Sequence, residues 1–551
     1  MRRLILEEDL VVALMDDISV ITEQEVAIKV LEFIKTEGPK YGFQLNVPKT
    51  VVMPTCVVHG IKPEPKSPNW PEGISWIGDS NGVELGKEDK GARELGSFIG
   101  TKEFVTKQVI KKINEKISPM ADLVYKFNDG HCAWQVIKRI PALTGLDYIM
   151  RTTPPELLEG ANAHYDKLIR EMFERAVIGK KLTEEEWERA QLPTPVGWGL
   201  TPAWVKSLAG YTASLNSNFE EIVKLRKDSA PRLQSTLDSL VERIRAHLPP
   251  GSNFDLTAKT KQSDIVAAIL KSKHLRFADH PDQKIRILYK QQNDKKAQGL
   301  KTNSIRNRMA MDPAEFQVFA RRSLGVDLVP EEMPCKACGK IADNKGYHDC
   351  MQDGAVIKRH NVVRDLYLKT AREGLVACKG EDTIKLVESP DYKIKTYRAD
   401  IVFDDAIPGL SSRKTAVDFT FRSAFAASYQ NIAEKAEGEL ALKGEADKVK
   451  LVQKALHNTQ YDFVPLGLET MGYCSENCKE LAYYLIGQKA YQQGVPFAEA
   501  ASEFWYTLSF LIHRQVARNT INRYRRVTYQ HEEEEERNDE EEALIPNSVP
   551  I

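Results

Sequence analysis

Short, uninterrupted apolar runs mark the beginning of the chain. Residues 11–15 form one run and residues 18–21 form the next, which predicts two strands of a hairpin with Asp16 and Asp17 at the turn between them. Apolar positions then recur every three or four residues over 26–34, the spacing of one helix face, until a glycine–proline pair ends the pattern. The sequence therefore predicts a β-hairpin followed by an amphipathic helix.

Helical periodicity dominates the middle of the chain. Apolar residues return with helical spacing in 104–113 and 117–127, and a further run begins at 132–140. Strand-like patterns follow later, where β-branched and aromatic residues fill 397–403 and 415–421 with a proline–glycine turn signal between them. Helices and antiparallel strands thus occupy different parts of the chain, which predicts an α+β multidomain fold.

Length and composition are those of an ordinary globular protein. The 551 residues suffice for about three or four domains, and hydrophobic residues at 42% with charged residues at 28% fit a chain with buried cores. No apolar stretch approaches the roughly 20 residues of a membrane span, so we expect no membrane partner. The first residues carry acids too early for a signal peptide, which predicts an intracellular, reducing compartment where cysteines are thiols or metal ligands.

The net charge of −1 conceals an uneven distribution. Residues 532–542 contain nine acids and one arginine, so the rest of the chain is net positive, and a stretch this acidic is typical of a disordered tail. The segment 284–308 is strongly basic, which is typical of a flexible phosphate-binding arm. Its basic residues include Lys284, Arg286, Lys290, Lys295, Lys296, Arg306 and Arg308. A solvated linker explains the same composition equally well.

Asp16 and Asp17 are the first candidates for chemistry. Two adjacent carboxylates at the tip of a hairpin can hold the Mg²⁺ ions with which nucleotidyl transferases stabilise the attacking and leaving oxygens. Adjacent acids are also common as plain turn residues, so the pair alone leaves both interpretations open.

Cys335, Cys338, His348 and Cys350 form the second candidate site. Three thiolates and one imidazole can complete a tetrahedral Zn²⁺ site, and a glycine-containing turn would bring the two pairs together. A single residue separates His348 from Cys350, which is closer than the usual ligand spacing. His360 is therefore an alternative ligand, and a chance cluster of loop residues is the alternative interpretation.

Two motifs after the aspartate pair carry a family resemblance. The segment 42–50, Gly-Phe-Gln-Leu-Asn-Val-Pro-Lys-Thr, and the segment 95–100, Leu-Gly-Ser-Phe-Ile-Gly, resemble the motifs that follow the catalytic aspartates in reverse transcriptases of non-LTR, LINE-type retrotransposons. The resemblance implies that residues 1–103 are a partial reverse-transcriptase palm. It also implies that Asp16 and Asp17 are catalytic Mg²⁺ ligands and that an RNA template is a partner.

The same resemblance organises the residues that follow the palm. It implies a helical thumb at 104–245 and a basic linker region at 246–330, with Lys49 and the basic segment contacting nucleic acid. The family's polymerases need a further aspartate and nucleotide-closing fingers upstream of the pair, and only fifteen residues precede Asp16. We therefore expect this chain to be the C-terminal half of such a polymerase and to extend no primer by itself.

The resemblance also includes a nuclease. A zinc knuckle at 331–352 leads into an Arg-His-Asn sequence at 359–361 and then into the two predicted strands, as in retrotransposon proteins with a restriction-like, PD-(D/E)xK endonuclease. This implies that 353–510 is an endonuclease domain in which Asp400 and Asp418 are catalytic ligands of Mg²⁺ or Mn²⁺. Without the resemblance, both acids could be solvated charges of edge strands.

A lysine completes the implied nuclease site. The plain motif places this lysine two residues after the second acid, where the chain has Thr420. In the retrotransposon variant it lies on the following helix, where Lys448 fits best and where Lys450 and Lys435 are alternatives. Glu388 could be an accessory ligand.

These features predict a truncated retrotransposon reverse transcriptase whose endonuclease nicks target DNA for primed reverse transcription, with the nucleus as its place of action. The segment 511–551 would be a basic helix followed by the disordered acidic tail. The alternative is a decayed or domesticated copy that binds nucleic acid without catalysis.

Overall fold

The computed structural model describes residues 10–14, 17–54, 65–77, 86–225, 227–303, 305, 309–335, 337–350, 354–385, 396–456 and 459–543. The chain divides into two compact units. The first contains Met1–Asp122, Arg139–Ile169 and Pro202–Ser272, and the second contains Leu123–Lys138, Arg170–Thr201 and Lys273–Ile551. Each unit has a hydrophobic core of its own.

Short strands alternate with turns at the beginning of the described chain, long helices fill its middle, and a mixed region ends it. The first part consists of β1 (Leu10–Leu14), β2 (Asp17–Ile21), α1 (Gln24–Glu37), β3 (Val51–Val52), β4 (Ser75–Trp76), β5 (Gly91–Glu94) and β6 (Ser97–Gly100). The middle consists of α2 (Lys102–Lys126), α3 (Gly130–Ile137), α4 (Ile140–Thr144), α5 (Leu146–Thr152), α6 (Glu159–Phe173), α7 (Glu184–Gln191), α8 (Ala203–Ser217), α9 (Phe219–Leu225), α10 (Ala230–Arg245), α11 (Gln262–Ala278), α12 (Gln283–Lys290), α13 (Gly299–Thr302) and α14 (Pro313–Leu324). The last part consists of β7 (Met333–Pro334), β8 (Ile341–Ala342), α15 (Ala355–Glu373), β9 (Cys378–Lys385), β10 (Thr396–Phe403), β11 (Lys414–Arg422), α16 (Gln430–Ala433), α17 (Glu439–Leu456), β12 (Tyr461–Glu469), α18 (Glu476–Gln493) and α19 (Phe497–Ala543).

The first unit combines two-stranded sheets with a helical core. β1 pairs with β2 antiparallel over the full length of both strands, which confirms the predicted hairpin. α1 follows this hairpin, as its helical periodicity predicts. The helical core forms where buried Val205 of α8, Leu240 of α10 and Ile265 of α11 pack together.

An aromatic cluster organises the helical part of the second unit. The ring of Trp198 meets Trp134 edge-on at 4.9 Å between ring centroids, and Phe173 and Phe316 contact Trp198 in the same way. All four side chains are fully buried. Edge-to-face pairs add to the stabilisation that burial provides, so these contacts hold α3, the end of α6 and α14 around Trp198.

A four-stranded sheet with helices on both faces forms the rest of the second unit. Its strand order is β12-β11-β10-β9, in which β11 pairs antiparallel with β10 and parallel with β12. α17 makes the crossover between β11 and β12. Tyr367, Leu485 and Phe504 of α15, α18 and α19 belong to the core on one face, and Val452 of α17 packs with Val402 on the other. The fold is therefore α+β, as the sequence predicts.

The basic segment 284–308 is not a flexible arm over its described residues. Most of its first part forms α12, where Ile287 is buried in a core with Tyr347. Lys301 is 1% exposed and donates a hydrogen bond of 2.8 Å to Gln292 Oε1. Apolar residues spaced along the basic sequence give it a side that faces the core, and this burial outweighs the charge pattern.

Helix lengths differ from the sequence predictions at two places. α2 is one continuous helix with Pro119 inside it, where the sequence predicts two helices. Ile113 and Ile117 are both buried on the side of α2 that packs, so tertiary contacts override the break that Pro119 favours. α19 continues to Ala543 and thus through the acidic residues predicted to be disordered, because glutamate has a strong helix propensity. No described helix combines the length and apolarity that crossing a membrane requires.

Candidate functional site

Asp400 and Asp418 lie on neighbouring strands where the ladder between those strands ends. The last paired residues of β10 and β11 at this end are Ile401 and Val417, so one further step of the register places Asp400 opposite Asp418. The Phe419 N–H does not continue the ladder but donates a hydrogen bond of 2.7 Å to Asp400 Oδ2. The two carboxyl groups are close enough to hydrogen-bond to each other.

Lys448 reaches this pair of carboxyl groups from α17. Its Nζ donates a hydrogen bond of 2.7 Å to Asp418 Oδ2. α17 approaches β11 closely because Gly444 faces Thr420, where a Cβ would lie only 2.9 Å from the Thr420 Cγ2. Lys448 is one helical turn beyond Gly444 and shares its face, so the close approach brings the lysine to Asp418.

Thr420 and the two alternative lysines lie elsewhere. Thr420 is 4% exposed and packs against α17, which leaves no place for a long charged side chain at that position. Lys435 and Lys450 are both exposed. Of the three lysines that the sequence offers, Lys448 is the one whose contact with Asp418 the structure shows.

His360 and Tyr397 join the carboxyl pair although the sequence does not assign them there. His360 Nε2 lies 2.8 Å from Asp400 Oδ1, and the Tyr397 hydroxyl donates a hydrogen bond of 2.6 Å to Asp418 Oδ2. His360 therefore serves the acidic pair and lies outside the cluster of Cys335 and its neighbours, where it was considered as a zinc ligand. The available signal was its place on the helix that precedes β9 and β10, but nothing in the sequence shows which strand that helix face covers.

The hydrogen bonds of this cluster give its two carboxyl groups different proton affinities. Burial raises the pKa of Asp418, and the neighbouring Asp400 raises it further against the opposing charge of Lys448. Burial acts on Asp400 in the same direction, but the hydrogen bond from His360 helps to hold the pKa of Asp400 below its ordinary value. Two carboxylates this close repel each other unless a proton or a cation neutralises part of their charge.

Cys335, Cys338, His348 and Cys350 form a second cluster in the same unit. Their ligand atoms all lie within 4.8 Å of one another, and Cys338 Sγ is 3.3 Å from His348 Nε2. Zn–S bonds of about 2.3 Å place tetrahedral donors roughly 3.8 Å apart, so small shifts suffice for coordination. Three thiols and one imidazole are also a donor set that Zn²⁺ prefers, and these residues could bind a zinc ion.

The local backbone explains how the cysteine cluster forms. β7 and β8 pair as a short hairpin, and the N–H groups of Cys338 and Gly339 both point to the Cys335 carbonyl oxygen in the turn. Burial alone would raise the pKa of Cys335, but hydrogen bonds from the N–H groups of Ala337 and Cys338 help to hold that pKa below its ordinary value. This favours the thiolate, which is the form that binds metal.

The remaining predicted residues are distributed over both units. Asp16, Glu388, Arg306 and Arg308 lie outside the described residues, and Asp17 is the first residue of β2, with a side chain that is not described. Lys49 is exposed in a 3₁₀ turn of the first unit.

The basic residues of the second unit occupy several environments. Arg286 forms an ion pair with Glu434 at 2.7 Å, and the Lys296 ammonium lies 5.1 Å from the ring centroids of Tyr483 and Trp505. Lys295 is exposed, and Lys284 and Lys290 are partly buried.

A comparison with protein-family models and a comparison with curated proteins each found no match to this chain. Functional inference therefore starts from the two clusters of the second unit.

Proposed function

We propose that the second unit carries a divalent-metal-dependent nuclease that nicks DNA. One observation supports the proposal above all others: Asp400, Asp418 and Lys448 come from three different elements and meet at one point. Two acids and a lysine at the end of a twisted sheet form a group suited to phosphodiester hydrolysis, in which charge develops on a phosphate.

The donor chemistry fits Mg²⁺ or Mn²⁺. Mg²⁺ is usually held by one or two carboxylates together with several waters, and Asp400 and Asp418 supply the two carboxylates. Such an ion would polarise the scissile phosphate and lower the pKa of an attacking water. Lys448 would then hold the phosphate charge or orient that water, because its ammonium group already lies beside Asp418.

His360 and Tyr397 would keep the two acids in their productive orientation. Each donates to one carboxyl oxygen, which fixes the rotamer of that carboxyl and leaves other lone pairs for a ligand. We propose that these two residues support the ligands and do not contact the scissile phosphate.

The nuclease would act within a protein of the non-LTR retrotransposon type, on the strength of the motif resemblance. In that proposal residues 1–103 belong to a reverse-transcriptase palm with Asp16 and Asp17 as metal ligands, an RNA template and target DNA are the partners, and the nucleus is the site of action. Nicked DNA would supply the 3′-hydroxyl that primes copying.

A second candidate function is nucleic-acid binding without catalysis. The observation in its favour is that Lys448 and His360 already satisfy the two carboxyl groups as ion-pair and hydrogen-bond partners. A site that is internally neutralised in this way can persist as a structural remnant.

Cleavage of supercoiled plasmid DNA by the full chain with Mg²⁺ or Mn²⁺ distinguishes the two functions. We expect conversion to the nicked form, and we expect Asp400→Ala and Asp418→Ala to lower the rate by at least about two orders of magnitude. Asp405→Ala is the matched control, since Asp405 is an exposed acid just after β10. Aspartate variants that nick as fast as the parent, or a folded parent that nicks nothing, would leave the binding function.

A further inference from the structure

Arg359 ties the cysteine cluster to the acidic pair. Its side chain is 2% exposed, and its two terminal NH₂ groups donate to both carboxylate oxygens of Asp349, at 3.4 Å and 3.1 Å. Asp349 lies between His348 and Cys350, two of the four residues that could bind zinc. Any rearrangement of those two residues therefore acts directly on the partner of Arg359.

The other side of Arg359 faces the acidic pair. Its guanidinium lies 5.2 Å from the ring centroid of Phe421, which is on β11 three residues beyond Asp418. The next residue of α15, His360, contacts Asp400. One short stretch of α15 thus contacts the loop of the zinc ligands and both strands of the acidic pair.

The Asp349–Arg359 pair has the properties of a link rather than of a surface ion pair. Both side chains are largely buried, at 16% and 2% exposed. Removal of one partner of such a pair leaves an uncompensated buried charge, so the two residues keep their positions together or lose them together. The guanidinium fork also fixes direction, because two parallel hydrogen bonds define the orientation of α15 relative to Asp349.

We propose that Arg359 is a positioning residue that couples zinc binding at the cysteine cluster to divalent-metal binding at Asp400 and Asp418. The proposal rests on the proposed nuclease function. Zinc orders the loop that carries Asp349, Asp349 holds Arg359, and α15 then presents His360 to Asp400. Prior ordering of this chain of contacts lowers the cost of binding the second metal.

Reciprocity makes the proposal measurable. If zinc strengthens Mg²⁺ binding by some factor, Mg²⁺ must strengthen zinc binding by the same factor. Mg²⁺ prefers oxygen ligands and does not compete for a thiolate site, so both halves of the cycle can be measured on the full chain.

The experiment measures zinc affinity by chelator competition under reducing conditions, with and without Mg²⁺, and also the Mg²⁺ concentration that gives half-maximal nicking at several zinc loadings. For the parent we expect equal effects in both directions, roughly fivefold or more. For Arg359→Ala we expect both effects to vanish while saturating zinc still gives a zinc-loaded chain. Lys358→Ala is the matched control, because Lys358 is the exposed neighbour of Arg359 on α15.

Arg359→Lys keeps the charge without the fork and should retain only a small part of the coupling, which provides a test if Arg359→Ala does not fold. A parent that nicks DNA but binds zinc equally well with and without Mg²⁺ overturns the coupling alone. A parent that shows the zinc–Mg²⁺ coupling but nicks nothing overturns the nuclease alone.

Discussion

Lys448 donates a hydrogen bond to the Asp418 carboxylate from thirty positions away in the sequence and from a different element. The contact depends on how closely α17 lies against the sheet. Gly444 meets Thr420, and Gly467 of β12 meets the backbone of Ala441, so neither site leaves room for a Cβ. The plain motif's lysine position is filled by the buried Thr420, and the positive charge arrives from the helix instead.

Lys448→Ala should reduce DNA nicking through turnover rather than through affinity. The ammonium group beside Asp418 would act on charge that develops during cleavage, so its loss is expected to lower kcat by roughly 100-fold with little change in KM. Steady-state kinetics on a nicking substrate check this. Lys450→Ala on the exposed side of the same helix should behave like the parent, and equal losses in both variants would contradict the assignment of Lys448.

Gly444→Ala should lower nicking by displacing α17. An alanine normally stabilises a helix relative to glycine by about 1 kcal/mol, but here the new Cβ would clash with the buried Thr420 Cγ2 and push Lys448 away from Asp418. We expect a lower nicking rate, measured on plasmid DNA, and partial recovery when Thr420→Ser removes the clashing methyl group.

Gly487→Ala is the control for this helix substitution. Gly487 lies in α18 with open space where its Cβ would be, so this change should raise the midpoint of thermal unfolding without affecting nicking. A Gly444→Ala variant as active as Gly487→Ala would show that the approach of α17 does not position Lys448.

Local sequence patterns were sufficient for the strands of the candidate site. The predicted strands 397–403 and 415–421 correspond to β10 and β11, with ends that differ by one residue, because β-branched and aromatic residues alternate with turn signals there. The spacing of Cys335 and Cys338 likewise indicated a compact turn that the structure contains. Both features depend on neighbours in sequence.

Contacts over long sequence separations were not predictable in the same way. His360 reaches Asp400 across 40 positions and Tyr397 reaches Asp418 across 21, and each contact depends on how an element packs against the sheet. The burial of Lys301 was missed for the same reason, since its charge suggested solvent whereas its partners are Gln292 and the Val196 carbonyl. Packing of this kind has no local sequence signal.

Cys335→Ser should remove zinc from the chain. If the cysteine cluster holds one ion, metal analysis of the purified parent under reducing conditions should give about one zinc per chain, and loss of one thiolate should abolish tight binding. Proteolytic cleavage near residues 333–350 should become faster, because the cluster then lacks the metal that links its two halves. Cys378→Ser, on β9 and outside the cluster, should keep its zinc, and a zinc-free parent would contradict the assignment.

His131 should make the stability of the second unit depend on acid. Burial lowers the pKa of His131 to about 4, and its ring stacks on Phe316 at 4.4 Å while its Nδ1 accepts a hydrogen bond from the Met311 N–H. In the unfolded chain an ordinary histidine has a pKa near 6.5. Between these two values the unfolded state binds a proton that the folded state refuses, so stability is lost as pH falls from about 6.5 towards 4.

His131→Phe isolates this effect from other titrating groups. Each unit of pKa difference corresponds to about 1.4 kcal/mol, so the contribution of His131 to the free energy of unfolding should decrease by on the order of 3 kcal/mol over this range. Phenylalanine keeps the stack on Phe316 but cannot accept the Met311 hydrogen bond and cannot titrate. The parent should therefore have the higher unfolding midpoint at pH 7, and its advantage should shrink steadily as the pH falls to 4. A difference in midpoint that stays constant over this range would show that His131 takes up its proton equally in both states.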